Sequence, residues 1–99
     1  MAAVAEAEVE VRNPSGLHAR PAATFVRAAA GFSADVSVAN LSRDPDRTAS
    51  AKSVLGVMGL AVGSGHRIRV SATGADADEA VATLVDLVAS GLGEELEGA

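Results

Sequence analysis

Two segments of this chain alternate residue by residue between small or apolar and charged or polar side chains, and this pattern restricts the fold more than any other feature. Ala5 to Arg12 reads AEAEVEVR, with Ala5, Ala7, Val9 and Val11 on one side and Glu6, Glu8, Glu10 and Arg12 on the other. His66 to Thr73 repeats the period, with Ile68, Val70 and Ala72 on one side and Arg67 and Arg69 on the other. A period of two belongs to an extended strand whose two faces meet different surroundings. Such strands build a sheet with one covered face and one wet face.

Three segments with helical spacing can supply the cover. From Ala19 to Ala30 the positions Ala22, Phe25, Val26 and Ala29 follow the i, i+3, i+4, i+7 rule, and Gly31 is placed to end the helix. Ser53 can cap a short helix carrying Val54, Leu55, Val57, Met58 and Leu60, with a Gly63-Ser64-Gly65 turn after it. A last helix starts at Asp76, where Asp76 and Glu79 resemble a capping box. Its buried stripe is Ala77, Val81, Leu84, Val85 and Val88, and Gly91 stops it.

Between the first two helices, Asp35 to Leu41 reads as a strand with Val36 and Val38 inward and Ser37 outward. Ser42 to Arg47 (SRDPDR) is charged and contains Pro45, so an exposed loop is expected there. A short extended piece is expected near Thr48 to Ala51. The order is strand, helix, strand, short strand, short helix, strand, helix, which predicts an α+β domain of two layers. Residues 1–92 are expected to form this domain, and residues 93–99 a short, acidic, frayed tail.

Composition narrows the chemistry. The 99 residues include two Phe and no Trp, Tyr or Cys, so the core must come from Val, Leu, Ile and Ala. Thiolate metal sites, disulfides and thiol nucleophiles are excluded. A net charge of −5 without aromatic platforms argues against a nucleic-acid partner. No stretch approaches the ~20 apolar residues of a membrane span. The N-terminus lacks the pattern of a signal peptide. The cytoplasm is the simplest compartment and a monomer the default state. No motif asks for a cofactor.

The chemistry concentrates in Gly16-Leu17-His18-Ala19-Arg20-Pro21-Ala22. Ser15 and Gly16 are turn residues, and Pro21 is tolerated in the first turn of a helix, so His18 stands where a loop becomes a helix. The N–H groups there lack intrahelical partners, and the positive end of the dipole points outward, which suits an anion and usually a phosphate. As a metal ligand His18 lacks company, since the only other histidine is His66 and no ligand spacing is visible. As a general base it lacks an identifiable nucleophile beside it. A neutral imidazole is a good nucleophile near pH 7, so it can accept a phosphoryl group. That group would meet N–H groups around Ala19 and Arg20, and the Arg20 guanidinium. From these residues alone, a plain surface histidine that starts a helix remains equally open. His66, after a glycine turn, reads as an ordinary strand-start residue.

GLHARPA followed by the Ala-Thr-Phe-Val helix resembles the active-site motif of the HPr family, the histidine-containing phosphocarriers of the bacterial phosphotransferase system. A second block, Ser50 to Leu60 (SAKSVLGVMGL), resembles that family's regulatory-serine segment, and the resemblance runs from roughly Val9 to Leu92. It implies a four-stranded antiparallel sheet covered on one face by three helices. It implies that His18 is phosphorylated at Nδ1 by phosphorylated enzyme I, ultimately from phosphoenolpyruvate. The group then passes to a histidine of an acceptor such as a sugar-permease A domain. Arg20 would neutralise the transferring group, with Ser15, Gly16 and Ala19 shaping the phosphate site.

On the short helix Val54, Val57 and Val62 can face the sheet while Leu55 and Met58 point outward, or all of them can be core; the resemblance implies a docking surface built from this helix and the first one. Arg27, about two turns beyond His18, can share that side. Ser53 resembles a serine that a dedicated kinase modifies in some members, though an N-cap alone is the simpler reading. Two departures stand out. The Ser42 to Arg47 loop is longer than usual, and Ala28-Ala29-Ala30 lacks a further basic residue that some relatives carry. Rival functions are a carrier for nitrogen-related regulation or dihydroxyacetone phosphorylation, and a regulatory module that binds a transcription factor through the short helix.

Overall fold

A computed structural model describes residues 3–94. Its elements are β1 (Val4–Glu10), α1 (Ala19–Ala30), β2 (Asp35–Asn40), β3 (Asp44–Ser50), α2 (Val54–Gly59), β4 (Arg67–Thr73) and α3 (Ala77–Ala89). The strands form one sheet in the order β1-β4-β2-β3, with every neighbouring pair antiparallel. The α+β architecture expected from the sequence is the one observed.

The alternating strands lie side by side. Ala5 faces Ala72, Ala7 faces Val70 and Val9 faces Ile68 across β1 and β4. On the wet face the charges answer each other: Arg67 Nε stands 3.2 Å from Glu8 Oε1, and Arg69 Nε 3.8 Å from Glu6 Oε2. Exposed pairs of this kind contribute little stability, about 0–1 kcal/mol each, and serve mainly to keep the register. The core beneath contains Phe25, Leu17, Ile68, Leu84 and a set of valines and alanines. Alanines on α1 (Ala22, Ala29) and on α3 (Ala77, Ala80) are buried in that core, as the scarcity of aromatic residues requires.

Three expectations need correction. The Ser42 to Arg47 segment is not simply a loop, because β3 already begins at Asp44 and contains Pro45. This strand is an edge whose residues are exposed apart from half-buried Ala49. Backbone pairing to β2 forms it, so it carries no apolar alternation, and an edge tolerates a proline that lacks an N–H. At α3 the capping box is absent. Asp76 occupies the N-cap but makes no side-chain cap bond. Its carboxylate instead accepts from Ser33 N (2.9 Å), Ser33 Oγ (3.2 Å) and Ala34 N (2.8 Å), fastening the α1–β2 connection to the start of α3. Val54 is 38% exposed rather than facing the sheet, because it opens a six-residue helix at the rim of the core, while Val57 and Val62 are fully buried.

The strand order decides where the ends of β1 and β4 meet. β4 lies between β1 and β2, and because it is antiparallel to β1 the end of β1 meets the start of β4, so the β1–α1 and α2–β4 connections emerge at the same end of the sheet. They are joined by Val11 N to His66 O (2.8 Å), Gly65 N to Val11 O (2.6 Å) and Leu17 N to Val62 O (3.0 Å).

Candidate functional site

The loop from Val11 to His18 is anchored at both ends by buried apolar residues, Val11 and Leu17. Its turn closes through Gly16 N to Asn13 O (3.2 Å) and Asn13 Nδ2 to Gly16 O (2.9 Å). Gly16 has a φ of 60°, in the left-handed region. A Cβ there would overlap the Val62 carbonyl oxygen and stand 2.9 Å from Gly63 Cα. Only glycine lets the loop approach the α2–β4 connection this closely.

His18 is the N-cap of α1, with φ −126° and ψ 153°, and its side chain makes no cap bond. The imidazole is exposed and carries no hydrogen bond among the described residues. Ala19 follows with a φ of 50°. For a residue with a Cβ this conformation costs about 1–2 kcal/mol, and it sits directly between His18 and Arg20. The first-turn N–H groups of α1 have no intrahelical partner, Pro21 offering none at all. Arg20 is exposed and, among the described residues, bonds nothing through its guanidinium. Free nucleophile, free cation and open N–H groups therefore lie within three consecutive positions, at the positive end of a 12-residue helix.

Ser15 and Gly16 contribute differently from the expectation that they line a phosphate site. Gly16 N is engaged with Asn13 O, while Ser15 N and Ser15 Oγ both donate to Glu94, at 3.0 Å and 2.8 Å. Neither backbone N–H is open toward an incoming group in this state. Asn13, buried in the same turn, also donates to Glu94 Oε1 at 3.0 Å. These bonds hold the Glu94 carboxyl below the usual carboxylate range, the Asn13 side chain first and then the Ser15 N–H and hydroxyl, with the Arg20 charge assisting against partial burial. Gly93 and Glu94 thus do not begin a frayed tail, since the carboxylate finds three donors on the loop. Residues 95–99 lie outside the described residues.

His66 does more than start a strand. Its Nδ1 accepts from Gly63 N (3.0 Å) and faces the Asn40 amide nitrogen (3.1 Å), so the imidazole carries its proton on Nε2. Asn40 is buried, and its amide also reaches Leu60 O (3.2 Å), tying the end of β2 to the end of α2. Sequence reading missed Asn13, Asn40 and Glu94. Asn13 alone had a signal, being the first residue of an Asn-Pro-Ser-Gly turn.

At α2, Ser53 is the N-cap, and its Oγ accepts from Gly56 N at 3.0 Å. Lys52 Nζ donates to Phe32 O at 2.7 Å, securing the start of α2 to the segment after α1. Leu55 is 84% exposed, whereas Met58 is half-buried and packs against the core, so only part of the expected apolar patch faces outward. Arg27 is exposed in the last turn of α1. Among the described residues no three His, Cys, Asp or Glu side chains gather as a metal site, and no helix is long and apolar enough to cross a membrane.

The chain is similar to known proteins over most of its length. A family profile described as the PTS HPr component phosphorylation site matches residues 5–90. A multiphosphoryl transfer protein of Escherichia coli O157:H7 is 43% identical over 91 residues, a stretch covering 92% of this chain and 24% of that protein. The chain spans about a quarter of the length of that relative and of its Salmonella typhimurium counterpart. Among solved structures, HPr-C-His from Thermoanaerobacter tengcongensis superposes with a TM-score of 0.84 at 43% identity, covering 93% of this chain and 99% of that one. The phosphocarrier protein HPr of Bacillus anthracis gives 0.80 at 41% identity, over 87% and 98% of the two chains. With the profile spanning most of the chain and these solved structures sharing its fold, this protein belongs to the HPr family of phosphotransferase-system phosphocarriers.

Proposed function

We propose that this chain accepts a phosphoryl group on His18 from phosphorylated enzyme I and passes it to a histidine of an acceptor domain, such as the A domain of a sugar permease. The observation that carries the reading is the free, exposed imidazole of His18 at the N-cap of α1, with the uncommitted Arg20 two residues on. In the receiving step the Nδ1 lone pair attacks phosphorus while the bond from phosphorus to the donor nitrogen breaks. The donor imidazole keeps that electron pair, and the group moves without net proton loss. Arg20 and the first-turn N–H groups offset the charge spread over the three equatorial oxygens. An exposed site of this kind holds the phosphohistidine loosely, which onward transfer requires. The reading places the protein in the cytoplasm as a monomer that presents one face to successive partners.

That face comprises His18, Arg27 and Leu55, with Met58 contributing its outer edge and Arg27 meeting acidic rims. Ser53 is included as a site for a serine kinase, where phosphate would place negative charge beside Leu55.

The test is transfer of labelled phosphate from phosphoenolpyruvate through enzyme I. Acid-labile, base-stable label is expected on the wild type and none on His18→Ala. Arg20→Ala should be labelled about a hundredfold more slowly. A folded wild-type protein that stays unlabelled with enzyme I from the same organism refutes the reading.

A further inference from the structure

The peptide joining Val62 to Gly63 has both of its polar groups engaged, each by a different part of the chain. Its carbonyl oxygen accepts from Leu17 N at 3.0 Å, and its N–H donates to His66 Nδ1 at 3.0 Å. A trans peptide is planar and directs these two groups oppositely, so a partner that aims the N–H also aims the carbonyl. Gly16 lies against the same peptide, close enough that a Cβ would overlap it. Leu17 is fully buried and directly precedes His18. His66 therefore reaches the residue before His18 through one rigid unit.

We propose that His66 is a positioning residue for transfer to His18: its unprotonated Nδ1 fixes the Val62–Gly63 peptide, and through it the backbone on which the receiving imidazole stands. The inference rests on the phosphocarrier reading. Two donors meet at that nitrogen, the Gly63 N–H and the Asn40 amide nitrogen at 3.1 Å. The Asn40 amide has one orientation, because its Oδ1 accepts from Ser42 N at 3.1 Å while its Nδ2 donates to Leu60 O at 3.2 Å. The backbone of His66 is held as well, since Val11 N donates to His66 O at 2.8 Å and His66 N to Gly63 O at 3.1 Å. Acceptance at Nδ1 polarises the peptide and strengthens the Val62 oxygen as the partner of Leu17 N. Without that acceptor the peptide can rock, and Leu17 and His18 follow it. A nucleophile misplaced by about 1 Å loses up to about a hundredfold in rate. The proposed docking residues Arg27 and Leu55 stand on α1 and α2, outside this chain of bonds. The effect therefore falls on the transfer step and not on affinity for enzyme I.

The experiment compares the wild type with His66→Ala and His66→Asn in rapid-quench single turnovers from phosphorylated enzyme I. Varying enzyme I gives a saturating rate and a half-saturating concentration, each taken for the folded fraction. The Oδ1 of asparagine lies as many bonds from the backbone as Nδ1 and still accepts from Gly63, whereas alanine offers no acceptor. His66→Ala is expected to lower the saturating rate about tenfold, with the half-saturating concentration within about twofold of wild type. His66→Asn should restore the rate to within about twofold. If His66→Ala does not fold, His66→Gln takes its place, filling the space with its amide one bond further out. A saturating rate in the acceptor-free variant within about twofold of wild type overturns the inference. So does an equal loss in His66→Asn, or a loss confined to the half-saturating concentration. Nitrogen-15 spectra of the wild type at mildly alkaline pH should show His66 protonated on Nε2, and a proton on Nδ1 overturns the inference whether or not any variant folds. These outcomes leave the carrier reading intact, because the wild type is labelled in all of them. An unlabelled wild type removes both.

Discussion

A methyl group at Gly16 would meet the Val62 carbonyl oxygen and demand a φ of 60° from a residue that resists it. Gly16→Ala is therefore expected to lower stability by about 2–4 kcal/mol, strain and overlap together. It should also part the Leu17–Val62 bond, so that transfer to His18 slows even in the folded fraction. Denaturant unfolding and labelling rates measured side by side check both effects, and an alanine variant with wild-type stability would show that the two loops separate freely. Gly16, His18 and Arg20 were legible from sequence because turn chemistry and helix-start chemistry are local. The left-handed Ala19 was not, because alanine has no preference for that conformation and only the packed surroundings impose it.

Asp76 acts on the scale of elements, since its carboxylate joins the α1–β2 connection to α3. The Ser33 N–H foremost, with the Ala34 N–H and the Ser33 hydroxyl, holds its carboxyl below the ordinary carboxylate range. A depressed folded-state value means that the unfolded chain binds the proton more readily. The stabilisation is complete above the ordinary value of about 3.9 and is lost as pH falls through the lower folded value. Asp76→Asn should lower the melting temperature at neutral pH, with the gap to wild type closing in acid. A gap that stays constant from neutral pH to below pH 3 would contradict this. The sequence assigned Asp76 to the right place but the wrong partner, because a capping box and a cross-connection clasp look alike until the neighbouring loop is positioned. β3 escaped in part for a related reason: an edge strand is specified by its partner's backbone, which leaves no trace in its own side-chain pattern.

Over the whole molecule, the strand order β1-β4-β2-β3 gathers the Val11–His18 loop, the α2–β4 connection and the end of α3 at one end of the sheet. The proposed docking face belongs to this scale as well. Leu55 contributes little to the core at 84% exposure, so Leu55→Asp should change stability by no more than about 0.5 kcal/mol. On the proposed reading it weakens binding to enzyme I, and Ser53→Asp does the same by adding charge to that face. Titration calorimetry against enzyme I checks both, and equal affinity of the two variants and the wild type would remove α2 from the interface.

The sequence by itself determined the period-two strands, the limits of α1, the Ser53 cap and the turn-to-helix start at Gly16–Pro21, because each is set by forces acting within a few residues. Only the tertiary structure decided that Glu94 closes on Ser15, that Asn40 and His66 meet, and that Asp76 serves a distant loop. Each of those joins groups far apart in the chain, and a carboxylate or amide has no way to announce its partner until the packed elements bring one within hydrogen-bonding distance.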